Sequence, residues 1–130
     1  MKKIALTFLL ILCFGISFSQ TYTYRTVSVS TKSDGGQWSM SSQLNVLITV
    51  SSSSQRIKIY TNNIQTFDIL TAEDLIIDAD GDYTYPFWCI DNEGKYCGVR
   101  LVNLKSQGGR SQIYVDYKYI SVLYNINKVD

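Results

Sequence analysis

The chain has no histidine. That absence excludes Ser-His-Asp and Cys-His nucleophile activation, because both need an imidazole to take the proton. It also removes the usual zinc sites, since there are only three cysteines and one of them, Cys13, lies in an N-terminal apolar run. Glutamate is scarce. Glu73 and Glu93 both fall in segments that read as turns, poor material for the paired carboxyls of a glycosidase cleft. No motif supports Ser-Lys chemistry, so the chain reads as a non-enzyme. Proline occurs once, at Pro86. No stretch keeps the apolar spacing of an amphipathic helix over three turns.

One long hydrophobic run is present, and it is at the N-terminus. In MKKIALTFLLILCFGISFSQ, Lys2 and Lys3 precede an apolar stretch from Ile4 to Phe18 that ends in small and polar residues. The run is short for a bilayer span and has the layout of a secretory signal peptide. The expectation is a signal peptide over 1–19, with Gln20 first in the exported chain, and no membrane span after its removal. Residues 20–130 then form a single exported β domain, periplasmic or extracellular, large enough for a modest core. Without Lys2 and Lys3 the chain carries ten basic and eleven acidic side chains. A net charge near −1 offers no field for a phosphate backbone, so nucleic acid is not an expected partner.

What the chain does have is tyrosine, valine, isoleucine, threonine and serine, with turn signals about every ten residues. SDGG, SSSS, NN, DADGD, DNEG and KSQGG punctuate extended runs. RIKI places Ile57 and Ile59 on one face and Arg56 and Lys58 on the other. In the run from Tyr83 to Ile90, Tyr83, Tyr85 and Phe87 share one side, while Trp88 and Ile90 share the other. Pro86 within it predicts a bulge or an unpaired edge nearby. Lys118 to Ile120 reads as a tight corner, or Asp116 caps one short helical turn. The fold class is all-β, an antiparallel meander of seven or eight strands, closed as a small barrel or folded as a sandwich.

Cys89 and Cys97 flank a turn in FWCIDNEGKYCGV. If Asp91 faces Lys95 across a three-residue loop, the two cysteines are direct cross-strand neighbours. In an oxidising compartment this predicts a disulfide, adding about 2.5 kcal/mol on the chain-entropy picture.

DADGD holds Asp78, Asp80 and Asp82. An EF-hand loop fails here, because its sixth and twelfth positions would be Tyr83 and Cys89 rather than Gly and Glu. The plain reading is a two-residue type I′ turn on Asp80-Gly81, with Ala79 facing Asp82. In the three-residue alternative Asp78 faces Asp82, and a cation would relieve the like-charge pair. The expectation is a turn and no cofactor, with calcium on these three aspartates as the one metal candidate.

Candidate binding residues are few. Tyrosines have an apolar face and a polar tip. Tyr114 and Tyr117 belong to a group with Tyr119 and Tyr124 near the end of the chain, and Trp38 is the other aromatic singled out. Arg110, beside Gly108 and Gly109, suits an anion-binding nest or an ordinary hairpin loop. Arg100 needs a partner if buried, with Asp68, Asp91 and Asp116 available, or else it emerges on the outer face.

GQW, residues 36–38, resembles the G-x-W that opens the first strand of lipocalin-like (calycin) barrels. The resemblance implies a barrel whose floor is plugged by Trp38, with Arg110 or Lys118 packed over it. Here a strand precedes the motif, which departs from the family pattern. Through DGD, CIDNEGKYC and QGGRSQIYVDY, most of the chain also resembles small exported β proteins of unknown function from Gram-negative bacteria and their phages. The functional expectation is a non-catalytic domain that binds a protein or glycan surface at or outside the cell envelope. The alternative is a lipocalin-like carrier of a small apolar ligand.

Overall fold

The computed structural model describes residues 20–129; the predicted signal peptide lies outside the described residues. Ten strands follow in chain order: β1 (Thr21–Ser33), β2 (Ser42–Gln43), β3 (Leu47–Ser51), β4 (Arg56–Ile59), β5 (Gln65–Ala72), β6 (Ile76–Ile77), β7 (Tyr83–Asp91), β8 (Tyr96–Leu104), β9 (Arg110–Asp116) and β10 (Ile120–Val129). A 3₁₀ turn, Lys105–Gln107, joins β8 to β9. Among the described residues no helix is long and apolar enough to cross a membrane.

Pairing runs β1-β3-β4-β5-β7-β8-β9-β10, all antiparallel, and β10 returns to β1. Eight strands thus close into a barrel, with β2 and β6 as additions outside the ring. Closure decides barrel over sandwich, and β1 makes it possible. Its 13 residues are long enough to pair with β10 along one edge and with β3, then β2, along the other.

The alternation expected in β1 breaks at one bulge. The register against β10 slips between Thr26 and Ser28, which turns Val27 out of the ladder. Before the bulge Tyr24 packs in the core, and after it Val29 does. Thr26 stabilises the break: its hydroxyl donates to the Leu44 carbonyl at 2.8 Å and accepts the Val46 N–H at 2.8 Å.

Inward-facing side chains fill most of the barrel. Ile48, Ile57, Ile59, Phe67, Cys89, Cys97, Val99, Ile113, Val115, Tyr124 and Ile126 form one buried cluster. Each large aliphatic or aromatic member contributes on the order of 1.5–3 kcal/mol by leaving water.

Pro86 sits where β5 ends and β6 begins. β5 pairs with β7 as far as Phe87, and β6 joins at Thr84. The Pro86 carbonyl accepts the Glu73 N–H at 2.9 Å, so the residue's missing N–H falls in the gap between the two partners. A bulge follows nearby, between Ile69 and Thr71. Lys118 and Tyr119 form the expected tight corner, closed by the Tyr117 N–H on the Ile120 carbonyl at 2.8 Å, and not a helical turn capped by Asp116.

Candidate functional site

A strongly apolar opening lies at the barrel end where β1 begins and β10 finishes. A cavity of about 400 Å³ is lined by Tyr22, Tyr24, Val50, Ile69, Tyr85, Phe87, Leu101 and Lys128, with Ser51 and Ser52 at its lip. The lining comes from six strands. Tyr22 faces Val50, Tyr24 faces Lys128, and Tyr85 faces Leu101. Below this cup the interior is closed by the buried cluster. Tyr24 is buried, and its phenol is pushed up by burial and then by the neighbouring Tyr22 and Tyr85 phenols. The Lys128 ammonium lies 5.3 Å from the centre of the Tyr22 ring, and the Tyr22 hydroxyl donates to Gln20. The cup is a concave aromatic surface with one cation at its rim, the chemistry of a small-molecule pocket. Sequence reading placed Tyr85 and Phe87 on one side of their strand, but the convergence of the cup's residues needed the closed ring.

The residues singled out from the sequence lie elsewhere. Trp38 is on the β1–β2 connection and not on a barrel floor. Its ring meets Tyr114 edge-on at 5.9 Å, and the basic group over it, at 5.7 Å, is Lys32 rather than Arg110 or Lys118. Tyr114 faces outward from β9, with the Arg100 guanidinium 4.1 Å above its ring. Arg100 also binds Asp116, through Nε at 2.7 Å and Nη2 at 3.2 Å. Of its three candidate partners, then, Asp116 is the one used, on the outer face. Arg110 donates to Gln107 at 3.2 Å and to Asn125 at 3.4 Å. Gly108 and Gly109 take positive φ, and their amides donate to the Lys105 and Leu104 carbonyls. The segment is a hairpin loop, and those amides are not turned to an anion.

Cys89 and Cys97 do face each other in register, both fully buried. The structure holds both as free thiols, placed side by side as the expected bridge requires. Burial, with each sulfur's negative neighbours adding to it, pushes Cys89 up to about 12 and Cys97 up to about 11. As free thiols both therefore stay protonated at neutral pH.

The DADGD loop takes the three-residue form. The Asp78 N–H donates to the Asp82 carbonyl at 3.1 Å, and the Gly81 N–H to the Asp78 carbonyl at 3.0 Å. Only Gly81 of the five has positive φ, at 83°, which excludes the type I′ turn on Asp80-Gly81. One oxygen of each aspartate lies within 4.8 Å of the others. Three of the six carboxylate oxygens already accept hydrogen bonds. Asp78 Oδ1 accepts the N–H groups of Asp80 and Asp82. Asp82, 8% exposed, accepts the Ser106 N–H and hydroxyl on Oδ1, each at 2.9 Å, and the same hydroxyl on Oδ2 at 3.0 Å.

Tyr117 lies at the opposite end of the barrel from the cup. Its hydroxyl donates to Asp91 Oδ2 at 2.7 Å. Burial, followed by this bond, pushes the phenol well above its ordinary value. For Asp91 burial works upward, but the Tyr117 hydroxyl and the N–H groups of Lys95 and Glu93 outweigh it and hold the carboxyl below its usual range.

Compared with known proteins, the chain matches no family model, no curated protein and no solved structure.

Proposed function

We propose that this chain is an exported, non-catalytic binding domain whose barrel carries a small apolar ligand in the cup between Tyr22, Tyr24, Tyr85 and Phe87. The cup itself carries the reading: about 400 Å³ of concave, mostly apolar space at the mouth of a closed barrel. This is the size and chemistry in which small apolar molecules lose most of their contact with water. The filled lower half of the barrel limits the ligand to the mouth. No histidine, cysteine or carboxylate lines the cup, which favours holding a ligand over converting it.

Titration with the neutral fluorophore N-phenyl-1-naphthylamine tests it. The expected result is saturable enhancement, weakened about tenfold or more by Tyr85→Ser, a change worth about 1.4 kcal/mol of binding. Tyr85 is exposed enough for the variant to fold. No saturable signal, or equal binding by the variant, would overturn the reading.

A second reading, binding at the outer surface, is favoured by one observation. Trp88 and Tyr96 project outward from β7 and β8 with parallel rings, 6.1 Å between centres, and are 47% and 60% exposed.

A further inference from the structure

The end of the barrel opposite the cup carries a second concavity. Two short connections form it: the β7–β8 turn, and the β9–β10 corner at Lys118 and Tyr119. Between them lies a cleft of about 470 Å³ lined by Asp91, Glu93, Lys95, Tyr96, Tyr117, Lys118, Tyr119 and Ile120. Tyr117 and Asp91 are bonded to each other. With Asp91 ionised and Tyr117 protonated, this part of the lining keeps one arrangement across the neutral range.

The walls are different. Tyr96 and Tyr119 are 60% and 65% exposed. Tyr96 continues outward into its parallel pair with Trp88, so an aromatic strip leads from the outer face into the cleft. Around these rings stand donors, the Lys95 and Lys118 ammoniums, an acceptor, the Glu93 carboxylate, and two free-standing phenols that do both. Their charges balance. Asp91 and Glu93 oppose Lys95 and Lys118, with Lys95 3.5 Å from Glu93 and Lys118 5.2 Å from the centre of the Tyr119 ring. A cleft so composed selects against an anion or a cation. It suits a molecule with an apolar face and a rim of neutral hydroxyls. A pyranose ring has that form, with axial C–H groups on one face and hydroxyls around the edge.

We propose that this cleft binds a neutral saccharide, with Tyr96 and Tyr119 as stacking faces and Glu93, Lys95 and Lys118 as its hydrogen-bonding rim. The proposal rests on the outer-surface reading and names its ligand class; it is independent of the cup.

The test is calorimetric and fluorescence titration of the folded protein with cellohexaose, chitohexaose and maltohexaose. A Trp38→Phe background makes Trp88 the reporting indole. At least one sugar should saturate with a Kd at or below about 1 mM. Tyr96→Ala and Tyr119→Ala, both at exposed sites, should each weaken it about tenfold. Tyr85→Ser, at the far mouth, should leave it unchanged. No heat and no indole shift with any of the three sugars would overturn the proposal, as would binding that survives both alanine variants. A protein partner that wild type retains and Tyr96→Ala loses, with no sugar response, would overturn the saccharide while keeping the outer-surface reading. Loss of both would remove that reading as well.

Discussion

Two turns of this molecule have almost the same backbone and different surroundings. Asp78–Asp82 and Asp91–Lys95 both read D-x-x-G-x. In each, the first aspartate's N–H donates to the fifth residue's carbonyl, at 3.1 and 2.8 Å, and the glycine N–H donates back to the aspartate carbonyl, at 3.0 Å in both. In each, one carboxylate oxygen accepts the N–H groups of the third and fifth residues. Gly81 and Gly94 sit at φ 83° and 81°, a left-handed position where a side chain is strained. The difference is the outside partner. Asp91 has a spare oxygen, and Tyr117 from the end of β9 takes it. In the other turn it is the fifth residue, Asp82, that reaches out, to Ser106 of the next connection. Identical local chemistry thus fastens two different neighbours, and one side chain decides which.

The largest separation between the turns should come from removing their anchors. Asp91→Ala strips two turn N–H groups of their acceptor and leaves the Tyr117 hydroxyl without one, at a cost of about 3 kcal/mol. Asp82→Ala loses the two Ser106 bonds but relieves the like charge facing Asp78, so about 2 kcal/mol is expected. Urea unfolding of both variants measures this. A reversed order would mean that Ser106, not Tyr117, is the stronger fastening.

Alkaline pH should separate them next. Tyr117 titrates and Ser106 does not. The Tyr117 phenol lies above its ordinary value in the fold. Its contribution is therefore complete below the unfolded value of about 10 and is lost as pH rises through the folded one. Cys89 and Cys97, raised from 9.0 to about 12 and about 11, act in the same direction and begin earlier. Stability should decline from about pH 9 and more steeply above about pH 10. Tyr117→Phe should reduce the second component to what the raised Tyr24 and Tyr124 phenols supply, and keep the first. Equal slopes in the two proteins would show that the Asp91 turn does not depend on this proton. On the acid side the sign reverses for Asp91. Its contribution is full above the unfolded carboxylate value and disappears as pH falls through its lowered folded one.

The smallest effect concerns calcium. Asp78 Oδ1 and both Asp82 oxygens already accept hydrogen bonds, and calcium asks for six to eight oxygens. Excess calcium against chelator should move the melting temperature by less than about 1 °C. A rise of several degrees that vanishes in Asp80→Ala would make the first turn a cation site and set it apart from the second.

The two turns also show how far sequence reading reached. The Asp91 turn was legible, including its three-residue loop and the Cys89–Cys97 register, because Lys95 opposite Asp91 raises no conflict. The Asp78 turn was misread as type I′, because two facing aspartates looked unfavourable without a cation. Ser106 holds Asp82 instead, and Ser106 lies 24 residues away. Trp38 was assigned to a barrel floor on three residues, while its actual partners, Lys32 and Tyr114, come from β1 and β9. The disulfide was expected from an oxidising compartment together with register; the register is there, with the two sulfurs as neighbouring free thiols.

By itself, the sequence determined what is local. Alternation and β-branched residues made strands, glycines made the turns, and missing histidine removed whole classes of catalysis. Tertiary structure decided what is distant. It closed the ring of eight strands, flipped the inward side of β1 at Val27, and gathered the cup from six strands. The physical reason is separation along the chain. Asn125 donates a hydrogen bond to Ser28 across 97 residues, and no propensity read in a short window contains that pairing.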